Sequence, residues 1–327
     1  MADARLAAWH NLQPFAREII MKAIRAQQYG NPDVLRLEEV ADLTPSKGQV
    51  LIQLAGSGIN PIDWKVLSGA MKQFIPLPLP YTPGVEVAGT VIALGEGVDT
   101  FSLGDEVFGF IGITGGYATQ AVADADRLVL KPNSLSLLEA SGVPAAALTA
   151  WQALHEHAAI KAGQRVLIQG AAGGVGSLAV QLARIAGAEV IATASAHNHD
   201  YLHALGATQL IDYRHEAFEK VVSDIDIVID LVGGETQARS WSVLKKGGVL
   251  VSPVSAPSEE AARSIGATGK RFATRSDGKQ LAQIADLFNR GALNMEVETM
   301  SLSRAADALQ RSLAGHTRGK IVLDARE

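Results

Sequence analysis

The 327-residue chain contains no cysteine. Disulfides and thiolate metal sites are excluded, and a reducing compartment such as the cytoplasm is the expected setting. A basic excess is missing too. Lys and Arg number 29 against 34 Asp and Glu, for a net charge of −5, and no long basic run occurs. Nucleic acid is therefore not an expected partner. No uninterrupted apolar stretch reaches the length of a membrane span, so no membrane partner is expected either. Residues 1–20 include Asp3, Arg5, Arg17 and Glu18 and no continuous apolar core. They do not read as a secretory signal and are expected to form an N-terminal extension, the domain proper starting at Met21. No Gly-x-Ser-x-Gly elbow supports hydrolysis.

An apolar share of 47% and a length of 327 residues suit two ordinary globular cores. The most informative stretch is Gly170-Ala171-Ala172-Gly173-Gly174-Val175-Gly176. It follows the apolar run Arg165-Val166-Leu167-Ile168 and opens a helical pattern at Ser177. Strand, glycine turn and helix together form a dinucleotide-binding context, in which small residues admit a pyrophosphate to the first helical amides. The match is A-x-G-x-x-G, with Ala171 in the place of the first glycine. Further short β-rich runs begin at Glu189, Gln209, Asp226 and Gly248. Their alternation with helical patterns predicts a doubly wound parallel sheet, an α/β Rossmann domain.

Residues 21–132 read differently. Candidate strands start at Ala23, Leu35, Gln49, Glu86, Glu106 and Tyr117, with turns at Gly95-Glu96-Gly97, Gly104-Asp105 and Gly115-Gly116. That series predicts a barrel-like β domain. A helical stretch over residues 136–157 leads into the dinucleotide unit. After Thr274 a helix, a strand, a helix and a strand close the chain.

Several ordered motifs carry a family resemblance. They are Gly58-Ile59-Asn60-Pro61-Ile62-Asp63-Trp64-Lys65, Gly84-Val85-Glu86-Val87-Ala88-Gly89, Leu103-Gly104-Asp105-Glu106-Val107, the glycine loop, and Arg318-Gly319-Lys320-Ile321-Val322-Leu323. Over residues 21–323 the chain resembles the medium-chain dehydrogenase/reductase superfamily, and within it the zinc-free quinone oxidoreductase branch, with zeta-crystallin and plant enone reductases. The resemblance implies a GroES-like catalytic domain (residues 21–144), a Rossmann NADPH-binding domain (145–274) and a C-terminal segment (275–327) completing the catalytic domain. It also implies a homodimer. Zinc enzymes of the superfamily carry Gly-His-Glu where this chain has Gly84-Val85-Glu86, and a cysteine ligand near Asn60 that is missing here. No metal site is expected. The absence of a Tyr-x-x-x-Lys pair removes the short-chain dehydrogenases.

Candidate site residues follow. The end of the second Rossmann strand places Ala194-Ser195 where an NAD site usually has Asp or Glu, which favours NADPH. The resemblance puts Ser195, His199 and Tyr213 at the 2′-phosphate side. It puts Asn60, Lys65 and Thr149 at the nicotinamide end. Gly173, Gly174, Val175 and Gly176 form the phosphate loop, and the strand-end residues Val232 and Ser252 border the cofactor. Lys65 is the candidate catalytic residue, its ammonium stabilising charge on a carbonyl oxygen after hydride attack. Asp63 either orients it or caps the local turn. The expected activity is NADPH-dependent hydride transfer to a small quinone or enone. A non-catalytic NADPH-binding protein and a zinc alcohol dehydrogenase are the alternatives. His199 and His203, one helical turn apart, lack a third ligand and read as a solvated helix.

Overall fold

The structure, a computed structural model, describes residues 20–315 and 317–327. Apart from Ile20, the N-terminal extension lies outside the described residues. The chain opens with an antiparallel pair, β1 (Ile20–Ala26) and β2 (Leu35–Ala41). Strand β3 (Gln49–Gly58) follows and is buried along most of its length. Helix α1 (Pro61–Leu67) comes next, in place of the local turn expected at Asp63. Pro61 starts it with a preset φ, and Asn60 and Asp63 form a capping box around its first turn. The β domain continues with β4 (Glu86–Leu94), β5 (Glu106–Phe110), β6 (Gln120–Asp124) and β7 (Leu128–Leu130).

Strand β6 begins three residues later than the expected start at Tyr117. Tyr117 and Thr119 are instead tied to β1, through Ile24 N–H to Tyr117 O at 2.8 Å and Thr119 N–H to Lys22 O at 2.8 Å. The single helical stretch expected over residues 136–157 is three pieces. Helix α2 (Leu137–Ser141) ends at Gly142, α3 (Pro144–Trp151) restarts at a proline, and a π turn, Gln152–His157, follows directly.

The dinucleotide unit runs β8 (Arg165–Gln169), α4 (Gly174–Ile185), β9 (Glu189–Ala194), α5 (His199–Leu205), β10 (Gln209–Asp212), β11 (Ile225–Asp230), α6 (Gly234–Ser240), β12 (Leu244–Ser252), α7 (Glu259–Ile265) and β13 (Thr268–Arg271). Its six strands are parallel in the order β10-β9-β8-β11-β12-β13, the doubly wound arrangement. Helices α6 and α7 and strand β13 were not legible beforehand. Helix α8 (Gly278–Asn289), β14 (Val297–Ser301), α9 (Ala305–Ala314) and β15 (Lys320–Asp324) then return to the first domain. Strand β15 pairs with β3, giving the order β14-β15-β3-β4-β5-β7.

Helix α3 joins the two bodies. Its Ala145, Ala146, Ala147, Leu148 and Ala150 are buried in one apolar cluster that also holds Val85 and Phe108 of the β domain and Ile168 and Leu178 of the Rossmann unit. The run of alanines lets the helix approach both sheets closely, and Leu148 anchors it. Truncating such a buried leucine typically costs about 2–5 kcal/mol.

Candidate active site

The glycine loop leaves β8 with Gly170 at φ +72 and enters α4 with Gly173 as its N-cap. Gly170, one residue before Ala171, takes the left-handed conformation. That explains why alanine is tolerated at 171, where the side chain is buried and the amide bonds Thr193 O at 3.1 Å. Gly176 is required by packing, since a Cβ there would lie 2.5 Å from Gly170 O. Gly173 is not: the nearest atom to its Cβ position is 3.8 Å away. No side chain caps α4. The loop therefore leaves room for a ligand at Gly173, beside uncapped helical amides, which is the cradle a pyrophosphate needs.

These residues line a cleft of about 280 Å³, with Gly173, Gly174, Val175 and Gly176 on one side and Asn60, Ala146, Gly319 and Lys320 on the other. Gly319 N–H bonds Ala172 O at 2.9 Å, so the last segment of the catalytic domain is fastened to the loop itself. The Lys320 stem lies against Gly174, where a Cβ would be 2.5 Å from Lys320 Cδ. Its ammonium is buried and donates to Glu86 Oε1 at 2.7 Å, Ile59 O at 2.7 Å and Asn60 Oδ1 at 2.8 Å. Asn60 Nδ2 also donates to Glu86 Oε1, at 2.7 Å, and the Ala145 amide donates to Glu86 Oε2 at 2.7 Å. All three Lys320 protons are thus committed within the protein.

Beneath Asn60 lies Asp63. Its Oδ2 accepts from the Asn60 amide at 2.8 Å and the Tyr117 hydroxyl at 2.7 Å, while Oδ1 is buried without a partner. Burial drives the Asp63 carboxyl up to about 7, against the lowering effect of those bonds. Burial and the neighbouring carboxylate push the Tyr117 phenol well above its ordinary value. Asp63 therefore caps α1 and does not orient Lys65. Lys65 rides on α1 and is half-buried, with its ammonium 5.4 Å from the centre of the Trp64 ring. Burial, and then the Arg271 guanidinium, push its amine below the ordinary lysine value. It does not line the glycine cleft.

Thr149 is buried in α3, and its hydroxyl lies 2.6 Å from Ala145 O and 2.7 Å from Thr274 Oγ1. Ser252 is buried at the end of β12 and caps the turn through the Val254 amide at 3.1 Å. Val232 is exposed and sits beside Gly170. At the far end of the sheet, Ser195 is buried next to Asn198, whose amide donates to Ser195 Oγ at 3.3 Å. His199 Nε2 and Asn198 Oδ1 are buried there without a protein partner. Tyr213 is exposed, with Arg214 over its ring at 5.9 Å. An acid is present after all. Asp212 is the β10 partner of Ala194, but it faces His215 Nδ1 at 2.7 Å and the Arg214 amide at 3.1 Å. The bond to His215 holds its carboxyl below the usual range.

The structure therefore gathers Asn60 and Gly173 to Gly176 in one cleft, sets Ser195 and His199 together at the second strand end, and leaves Lys65 apart. Glu86, Lys320 and Tyr117 were missed as site residues. Glu86 and Lys320 stood inside motifs used only as family marks, and their 234-residue separation hid the pairing.

Comparisons with known proteins agree with this architecture. The alcohol dehydrogenase GroES-like domain matches residues 46–133, and the zinc-binding dehydrogenase family matches residues 205–323. A chloroplastic quinone oxidoreductase of Triphysaria versicolor is 34% identical over 93% of this chain and 98% of its own length. The chain belongs to the quinone oxidoreductase branch of the medium-chain dehydrogenase/reductase superfamily. A 2-methylene-furan-3-one reductase of Solanum lycopersicum is 36% identical over 93% of this chain and 79% of its own. The structure of Escherichia coli quinone oxidoreductase complexed with NADPH superposes with a TM-score of 0.85, at 26% identity over 93% of this chain and 99% of that one. As a member of this family the protein is an oxidoreductase that uses a nicotinamide cofactor. The position of the zinc enzymes' histidine ligand is the buried Val85, and among the described residues no group of three or more His, Cys, Asp or Glu is placed to hold a metal. No helix among the described residues is long and apolar enough to cross a membrane.

Proposed function

We propose that this protein reduces quinones or α,β-unsaturated carbonyls with NADPH and without zinc. The observation that carries the reading is the floor of the cleft. There Asn60 and Lys320, whose polar groups are already satisfied by one another and by Glu86, face the uncapped amides of α4 across the cleft.

When bound, the dihydronicotinamide supplies hydride. The protein contributes position and electrostatics. The α4 amides and Gly173 would hold the pyrophosphate, and Ser195, His199 and Tyr213 the 2′-phosphate side. Alanine-rich α3 closes the two bodies and excludes water. Lys65 and Arg271 lie within electrostatic range of each other beyond the carboxyl ends of the Rossmann strands, and Lys65 stabilises developing negative charge on the acceptor oxygen. The proton that completes an enone reduction comes from solvent or a side chain. The exposed outer edge of β13 suits pairing with a second copy, hence a homodimer.

The test is NADPH and NADH oxidation measured with benzoquinones and simple enones, alongside elemental analysis. Turnover with NADPH at less than a tenth of a zinc per chain supports the reading. A zinc per chain, with activity lost on chelation, or no turnover with any acceptor, contradicts it.

A further inference from the structure

On the reading above, the charges of the cofactor fall on one side of the Rossmann sheet. The pyrophosphate lies at the start of α4, directly after β8, and the 2′-phosphate at the end of β9. The strand order β10-β9-β8-β11-β12-β13 puts β13 on the opposite side, three strands from β8, or about 14 Å at ordinary strand spacing. A cation at the carboxyl end of β13 therefore stands apart from both phosphates.

Arg271 is such a cation. It ends β13 in register with Ser252, the last residue of β12, and it is exposed. Ligands of doubly wound sheets sit outside this carboxyl edge. The cations on either side of Arg271 are already committed. Lys270 donates to His157 O at 2.7 Å, and Arg275 pairs with Glu156 at 2.6 Å and Asp277 at 3.2 Å. Among the described residues the Arg271 side chain has no hydrogen bond and no ion pair.

Lys65 approaches from the other domain. It rides on α1, whose N-cap Asn60 lines the glycine cleft, and among the described residues no carboxylate pairs with it. Burial and then the Arg271 guanidinium push its amine below the ordinary lysine value. Two unpaired cations, one from each domain, thus lie within electrostatic range at the carboxyl edge of the sheet. Like charges brought together without a counter-ion work against folding, and such arrangements mark places where a ligand supplies the opposite charge.

We propose that Arg271 is a specificity residue that takes an anionic group on the acceptor, a carboxylate or its equivalent beside the reducible enone or quinone, while Lys65 faces the reacting oxygen. This rests on the reading of the protein as an NADPH-dependent reductase. A guanidinium presents a planar fork of N–H donors that matches the two oxygens of a carboxylate. A second anchor also fixes which carbon of the acceptor meets the nicotinamide.

The test measures kcat/KM at saturating NADPH for two matched pairs, trans-acetylacrylate with its methyl ester and naphthoquinone sulfonate with naphthoquinone. The members of a pair differ in intrinsic reactivity, so the readout is the change in the anionic-to-neutral ratio between proteins. In Arg271→Gln that ratio falls about tenfold, as loss of a charge-assisted hydrogen bond does. Arg271→Lys keeps it within about threefold, and Arg271→Glu lowers it further than Arg271→Gln. In the starting protein the ratio declines as ionic strength rises. NADPH affinity, titrated directly, stays within about twofold in Arg271→Gln. A ratio that Arg271→Gln leaves unchanged for both pairs overturns the proposal, and so does a loss that falls on NADPH affinity instead. No turnover of any of the four acceptors overturns the reductase reading itself, and the proposal with it.

Discussion

The two ends of the proposed cofactor site, the glycine loop and the end of the second Rossmann strand, are built on opposite terms. At the glycine-loop end, Lys320, Asn60 and Glu86 satisfy one another and the backbone around them. At the proposed adenosine end, His199 Nε2 and Asn198 Oδ1 are buried without a protein partner. Buried polar atoms nearly always have partners. The Lys320–Asn60–Glu86 trio has its full set, and the orphaned Asp63 Oδ1 beneath it belongs to a carboxyl whose affinity for a proton burial raises; at the proposed adenosine end the orphaned pair is one we propose a ligand completes. The closed end fixes the relation between two domains. On the proposed reading, the open end selects what binds there.

The most severe break is at the closed end. Lys320→Met strands the Glu86 carboxylate in the interior, which typically costs about 3–5 kcal/mol, and urea denaturation measures it. The pair Lys320→Met with Glu86→Leu should recover most of that loss, because the uncompensated charge is gone. A single variant within about 1 kcal/mol of the starting protein would mean that Glu86 is not uncompensated there.

Asp63 sharpens the same end through pH. Its folded carboxyl stands at about 7 against an ordinary value of 3.8. The folded protein thus holds its proton where the unfolded chain has released it. Stability from this group is complete below about pH 3.8, declines as pH rises, and is lost above about 7. The swing is about 4 kcal/mol by linkage. Asp63→Asn should remove that slope, so the stability difference between variant and starting protein should widen from pH 4 to pH 8. A pH-independent difference contradicts the assignment.

A third break separates architecture from chemistry. Lys65 lies outside the closed cluster, so Lys65→Ala should leave stability within about 0.5 kcal/mol. It should slow hydride transfer about a hundredfold, as loss of a preorganised charge does. Single-turnover rates at saturating NADPH give the answer, with NADPH affinity titrated alongside. Loss confined to affinity would make Lys65 a cofactor contact.

What the sequence disclosed follows the same division. The glycine loop and its flanking strands are local patterns, and β4 and β5 occupy the expected residues. Ser195 stood out because an acid was missing from one position. Relations across long separations were hidden. Lys320 reaches Glu86 over 234 residues, and Thr149 reaches Thr274 over 125. Helix α1 was hidden because Asn60 and Pro61 suit both a turn and a helix start. Asp212 was overlooked because it enters the adenosine end from the next strand, as the partner of Ala194.

The smallest expected effect bears most directly on the contrast between the two ends. NADPH and NADH are titrated against the starting protein and against His199→Ala by fluorescence, with stability followed in parallel. NADPH should bind at least about tenfold more tightly than NADH, the worth of one charge-assisted hydrogen bond. In His199→Ala that preference should collapse while NADH affinity and stability stay unchanged. Equal affinity for the two cofactors in the starting protein, or loss of both together with stability in the variant, would contradict an adenosine end built to take a 2′-phosphate.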